Sequence, residues 1–303
     1  MHAPLAVKLR TTLRALLAGW EQDIPSQWRS VLQETKLDWT SKSLDREVRP
    51  GETILPGRKS IRLPGVPERA HIFRALENTD PAHVRAVLLG QEPYPKAHWA
   101  TGRAFEQGNL EAWPEEPRKV ADSLRRLVQA MVSADAGNPA YGAGDRGWQL
   151  LIQDVRSGQC RLIPPKELFD YLERQGMLFL NTSLTVSSIG LDDTPKENRG
   201  HFHLWAPLVA RVLRFLASRQ HGHMLFLLFG RHAEAVFDNS GARTAAQNAG
   251  AWETRADAVR HFHPAAITSN GPAFLTLPNP FMAGNELLRR MGAEPICWGI
   301  NRG

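Results

Sequence analysis

Only two cysteines, Cys160 and Cys297, occur in the 303 residues. Two cannot build a four-cysteine zinc or iron–sulfur site and are too few for a disulfide framework, so the composition fits a reducing cytoplasm. No apolar stretch approaches the roughly 20 residues that cross a bilayer, and Lys8, Arg10 and Arg14 interrupt the candidate nearest the start. A membrane span, a membrane partner and a secretory signal are therefore not expected. The GxxxxGK[ST] pattern is not present, which removes one familiar phosphate-binding loop. Internal repeats and low-complexity tails are also missing. Acids are absent from the opening MHAPLAVKLRTTLRALLAGW. That could suit an organelle transit peptide, but Leu9, Leu13, Leu16 and Leu17 recur at helical spacing and favour an ordinary amphipathic first helix.

What the chain does have is enough apolar residue, 42%, to bury a full core. Its net charge of +6 and pI near 9.6 point toward a polyanionic partner. Four short apolar runs are bounded by turn residues and separated by helical patterns: AVLLG (86–90), MLFLN (177–181), MLFLLFG (224–230) and the weaker AVRHFHP (258–264). They read as buried parallel strands of an α/β fold. Between the second and third, Trp205, Leu208, Val209, Val212, Leu213 and Leu216 share one helical face. NELLRRMG (285–292) reads as another helix, stopped by Gly292. The segment 49–67 is rich in Pro, Gly and basic residues and reads as an irregular connection. One domain over 1–303 is expected, with a helical segment over 1–48. Residues 133–166 are read as an insertion or long surface loop that could meet a protein partner.

In open α/β sheets, ligands bind beyond the carboxyl ends of the strands. Those ends carry Gln91, Glu92, Pro93 and Tyr94; then Asn181 and Thr182; then Gly230 and Arg231; then His263 to Ala266. An amide can pair with a C=O/N–H edge, an aromatic ring can stack, and an imidazole and a carboxylate can handle developing charge. Each residue alone has an ordinary structural explanation. Together they suit a planar ligand with an amide edge, and a nucleobase has one.

These residues carry a resemblance. GQEPYP…ATGRAF is similar to the water-activating loop of family 1 uracil-DNA glycosylases, usually GQDPYH…AHGLCF, and LNTSLTV to their LNAVLTV strand end. HPAAIT resembles their HPSPLS loop, and NELLRRMGAEPICW their closing NELL…G…PI.W segment. With gaps, the resemblance runs from about residue 50 to 298. It implies a three-layer α/β/α fold with a central four-stranded parallel sheet. It also implies a monofunctional glycosylase, needing no metal or cofactor, that hydrolyses the bond to a flipped-out uracil in single- or double-stranded DNA. Two other readings keep the fold: excision of a modified base, for example in defence against foreign DNA, or DNA binding with decayed chemistry. A monomer is expected.

Residue by residue, the resemblance assigns Glu92 to the water-orienting acid that stabilises the cationic sugar, and His263 to the imidazole that meets charge on the departing base. Tyr94 would exclude the 5-methyl of thymine, Phe105 would stack on the base, and Asn181 would read the uracil edge, with Gln91 beside them. Ile267 takes the place of the Leu inserted into the duplex. Arg118 falls near the usual Ser of the Pro-rich loop, while Ala265 and Thr268 replace two Ser of HPSPLS. Several positions depart from the pattern. Glu92 replaces an Asp. Pro95 replaces a His whose work would pass to a neighbour such as Lys96 or His98. Thr101 and Arg103 replace His and Leu, which implies a more polar pocket mouth.

Overall fold

The structure is a computed structural model and describes residues 7–189, 200–269, 271–276 and 278–300. Helices and strands alternate along them. In chain order these are α1 (Leu9–Leu16), α2 (Arg29–Leu32), β1 (Thr53–Leu55), α3 (Arg74–Glu77), β2 (Ala86–Gly90), α4 (Asp122–Ala136), α5 (Gly144–Arg156), α6 (Pro165–Arg174), β3 (Met177–Asn181) and β4 (Val186–Ser188). There follow α7 (Phe202–Ala217), β5 (Met224–Phe229), α8 (Arg231–Asn239), α9 (Ala242–Asn248), β6 (Ala256–His261), β7 (Ile267–Thr268), β8 (Gly271–Pro272) and α10 (Pro280–Arg290).

The central sheet is parallel, in the order β3-β2-β5-β6. Its strands β2, β3 and β5 are buried at every residue because both faces are covered, and the two-residue period of a strand deals their side chains alternately to two cores. Val87, Leu89, Leu178, Leu180, Phe226 and Leu228 enter one core with α1, α7 and α9. Ala86, Leu88, Phe179, Leu225, Leu227 and Phe229 enter the other with α4, α5, α6 and α10. The result is the expected three-layer α/β/α architecture. The weak fourth run is the edge strand β6, buried only at Ala256 and Val259, which is why its sequence looked less apolar.

Helix α1 turns Leu9 and Leu13 into the first core, and Trp20 and Trp28 follow them. Trp20 meets Trp205 of α7 edge-on at 6.3 Å, so the 1–48 segment, as far as it is described, packs into the main body. Helix α10 starts earlier than its periodicity suggested, at Pro280, where the Asn279 side chain accepts the N–H of Phe281 and Met282.

The expected loop over 133–166 is corrected by the structure. Ser133–Ala136 complete α4, a short 3-10 turn spans Pro139–Gly142, and α5 fills most of the remainder. Trp148 and Leu151 are fully buried and Ile152 nearly so. The Trp148 indole N–H donates to the Pro114 carbonyl at 2.9 Å, and Gln129 Nε2 donates to the carbonyls of Tyr141 and Gly144, each at 2.7 Å. The apolar face of α5 is therefore core. The Gly-, Ala- and Asp-rich stretch before it disguised where the helix begins.

Candidate functional site

Parallel pairing brings four strand ends together, with Gly90 opposite Asn181 at the last register position of β2 and β3. The chain leaving β2 is pinned at once. The Gln91 carbonyl accepts the Ser183 N–H at 2.9 Å and the Thr182 hydroxyl at 2.7 Å. Because that hydroxyl donates to Gln91, it accepts from His232 Nε2, 2.8 Å away, and α8 is thereby tied to the turn that presents Glu92. The Gln91 side chain faces solvent, and Glu92 is half-buried. A methyl group added at Gly200 would lie 2.5 Å from Glu92 Oε2, so the carboxylate sits hard against that backbone.

Asn181 is 1% exposed, and neither its Oδ1 nor its Nδ2 has a hydrogen-bond partner. A buried donor and a buried acceptor left unpaired cost about 1–3 kcal/mol each, an arrangement expected where a ligand completes the pairs. Gly90 makes room for it: a Cβ there would come within 2.6 Å of both Asn181 Oδ1 and the Ala104 Cβ.

Phe105 adopts φ +64°, left-handed backbone that costs an aromatic residue about 1–3 kcal/mol and persists where its surroundings enforce it. Its ring centre lies 6.2 Å from that of His263. Tyr94 closes the same side. Its hydroxyl lies 2.9 Å from Ser123 Oγ and 3.4 Å from the Phe105 carbonyl, and Trp99 packs edge-on at 5.5 Å. Burial raises the Tyr94 hydroxyl well above the usual phenol range, against a smaller opposing effect of Ser123, which keeps it neutral.

His263 is presented by the turn after β6. Its Nδ1 accepts the Ala265 N–H at 3.0 Å, so a neutral ring carries its proton on Nε2. Burial, then His232 and Arg126, lower its basicity. Arg126, 4% exposed on α4, donates to the Pro264 carbonyl at 3.0 Å and fixes the turn. Gly230 has φ +90°, and a Cβ on it would come within 2.7 Å of the His263 Cβ, so only glycine lets this strand end pass the imidazole.

The outer residues lie where a duplex could reach them. Ile267 is 63% exposed at the start of β7, paired with Pro272 of β8, with Ala265 and Thr268 also exposed. The Thr268 hydroxyl donates to the Gly271 carbonyl at 3.1 Å and closes the hairpin. Arg118 is exposed on the turn leading into α4. Lys96 lies over the Trp99 ring at 4.6 Å and His98 packs on it edge-on at 5.9 Å. The polar mouth expected from Thr101 and Arg103 is corrected: they are 6% and 2% exposed, and Arg103 points into a cluster of carboxylates. The contributions of Arg126, His232 and Gly90 escaped sequence reasoning. The one available signal was a charged residue at 126 between Leu124 and Leu127, on the apolar face of a helix. Among the described residues no group of His, Cys, Asp and Glu could hold a metal ion, and no helix is long and apolar enough to cross a membrane.

Behind the site, His201 is 4% exposed. The Trp205 indole donates to Thr185 Oγ1, whose hydroxyl donates to His201 Nδ1, both at 2.8 Å; Nε2–H then donates to Ser187 Oγ at 3.1 Å. Burial, with a smaller push from nearby Arg46, lowers the imidazole from 6.5 to about 3. Above pH 6.5 neither folded nor unfolded chain is protonated there, whereas between 6.5 and 3 the unfolded chain binds a proton that the folded one does not. Stability should fall by about 1.4 kcal/mol per pH unit from this residue as pH drops through that window. Urea unfolding at pH 7, 6 and 5 should show this loss, and His201→Gln should reduce the slope by one proton. Equal slopes in the two proteins would exclude the assignment.

No protein-family model matches the chain. It is similar to a protein named uracil-DNA glycosylase from Exiguobacterium sibiricum, with 25% identity over 280 residues, 90% of this chain and 98% of that protein. A protein of the same name from Mycolicibacterium vanbaalenii is 27% identical over 279 residues, 91% and 96% of the two chains. Among solved structures, UNG from Nitratifractor salsuginis superposes with a TM-score of 0.54 at 22% identity, covering 87% of this chain and 90% of that one. Over nine-tenths of its length, then, the chain is similar to proteins named uracil-DNA glycosylase, and it has the UNG fold.

Proposed function

We propose that this chain is a monofunctional glycosylase that hydrolyses the N-glycosidic bond of a flipped-out uracil in DNA, as in base-excision repair. The observation that carries the reading is Asn181, whose buried and unpaired Oδ1 and Nδ2 match the N3–H and O4 edge of uracil. The relatives' name supports it. In this reading Phe105 stacks on the base, and Tyr94, held by Ser123 and Trp99, leaves no room for a 5-methyl group. Glu92 orients a water and stabilises positive charge on the sugar. The C1′–N1 bond breaks with its electron pair passing to the base, water oxygen bonds to C1′, and the carboxylate takes up a water proton. The His263 Nε2–H donates to the uracil O2 as it becomes negative, where a preorganised donor matters most. Ile267 fills the space left in the stack, and Arg118 lies toward the phosphates.

The test uses end-labelled single- and double-stranded DNA carrying one uracil, treated with the protein and then with alkali. Cleavage at the uracil, with a thymine at the same position left intact, is the expected result. Salt-sensitive binding without cleavage of any uracil substrate would overturn the proposal.

A further inference from the structure

We infer that Arg103 is a positioning residue that holds Phe105 in its left-handed turn, and so sets the face on which the base stacks. The inference rests on the proposed role of Phe105. The Arg103 side chain is 1% exposed, and its guanidinium makes contacts in two directions. One runs across the turn: Nη1 donates to Glu106 Oε1 at 3.0 Å, so the residues on either side of Ala104 and Phe105 are stapled to each other. The other runs to α6: Nη2 donates to Asp170 Oδ1 and Glu173 Oε2, each at 2.5 Å. The backbone is held as well. Arg103 N–H donates to Thr101 Oγ1 at 3.1 Å, and Ala104 N–H to the Phe179 carbonyl of β3 at 3.0 Å.

A buried arginine among three carboxylates needs a reason, because an apolar side chain of similar volume would often stabilise a fold as well. The Leu of the resembled loop pattern would fill this space but could not bridge Glu106 to α6. Arg74, 3% exposed, approaches Asp170 at 3.4 Å and adds a second cation to the cluster. Burial pushes the Glu173 carboxyl up to about 7, against the pull of Arg103 and Arg74. The fork geometry is specific to arginine, since an ammonium cannot reach acids on two sides at once. Phe105 is the left-handed non-glycine residue that this bracket encloses, and a bracket of this kind is what would hold such a backbone in place.

Glu106→Ala removes the staple while leaving the links to α6, and Arg103→Lys keeps the charge but loses the fork. Each should raise the inhibition constant of free uracil and lower single-turnover excision, both by about 10-fold. The KM for DNA should stay within about twofold, because phosphate contacts are untouched, and Arg103→Lys should be the milder of the two if its charge reaches either acid. Phe105→Ala serves as the reference. If Phe105→Ala weakens uracil inhibition but Glu106→Ala and Arg103→Lys leave it unchanged, Arg103 is only structural and the inference fails. Lower melting temperatures with unchanged uracil inhibition would overturn it in the same way. If wild-type protein neither excises nor is inhibited by uracil, the functional reading itself has failed.

Discussion

Glu92→Gln should lower single-turnover excision of uracil by about 10²–10⁴-fold while DNA affinity at fixed salt stays within a few-fold. The substitution keeps shape and length and removes charge, so it isolates what the carboxylate does. An amide can still hydrogen-bond a water, but it can neither accept its proton nor offset positive charge on the sugar. Affinity depends instead on phosphate contacts and on flipping, which residue 92 does not supply. Excision by the variant within tenfold of wild type would remove Glu92 from the chemistry. Glu92→Asp tests the fit of the loop. The structure places the longer carboxylate against Gly200, and withdrawing it on the order of an ångström should cost about 100-fold, although aspartate is the more usual residue in the resembled motif. Full activity of Glu92→Asp would show that the loop adapts to either acid.

Much of the fold was legible because three strands are buried on both faces. AVLLG, MLFLN and MLFLLF are nearly pure apolar runs for that reason, and no polar alternation competes with the signal. The edge strand β6 exposes Arg260 and half-exposes Asp257, Ala258 and His261, so its run was weaker. The helix α5 was missed because glycine, alanine and aspartate before it resemble loop composition, while its burial depends on α4 and the chain around Pro114. At the site, the residues just beyond the strands could be named from order and spacing, since strand ends converge in any parallel sheet. Their supports could not. Arg126 reaches Pro264 across 138 positions, Thr182 meets His232 across 50, and Arg103 meets Glu173 across 70. Arginine ordinarily faces solvent, so nothing local marks Arg103 as buried.

His263→Ala should reduce excision by about 10²–10³-fold, the usual cost of removing one preorganised donor from a developing anion. The geometry says how the donor is prepared. Ala265 N–H occupies Nδ1, which leaves the proton on Nε2. Burial, aided by His232 and Arg126, disfavours a second proton on the ring. The sign of the pH effect follows. A lowered pKa means that protonation is disfavoured in the folded protein, so the neutral ring persists below pH 6.5, where a free imidazole would be charged. If the neutral form is the active one, excision should hold steady as pH falls through 6.5 and decline only further down, and His263→Ala should remove that decline. His263→Gln, which keeps a donor on a shorter and flexible arm, should recover part of the lost rate. A decline centred at or above 6.5 would mean that the fold does not hold this imidazole neutral, and an unaffected His263→Ala protein would mean that it takes no part in stabilising the leaving base. Gly230→Ala approaches the same point from the backbone. Its new methyl group would press on the His263 Cβ, so excision should fall with Asn181, Phe105 and Glu92 all unaltered in sequence, and restoring glycine should restore it.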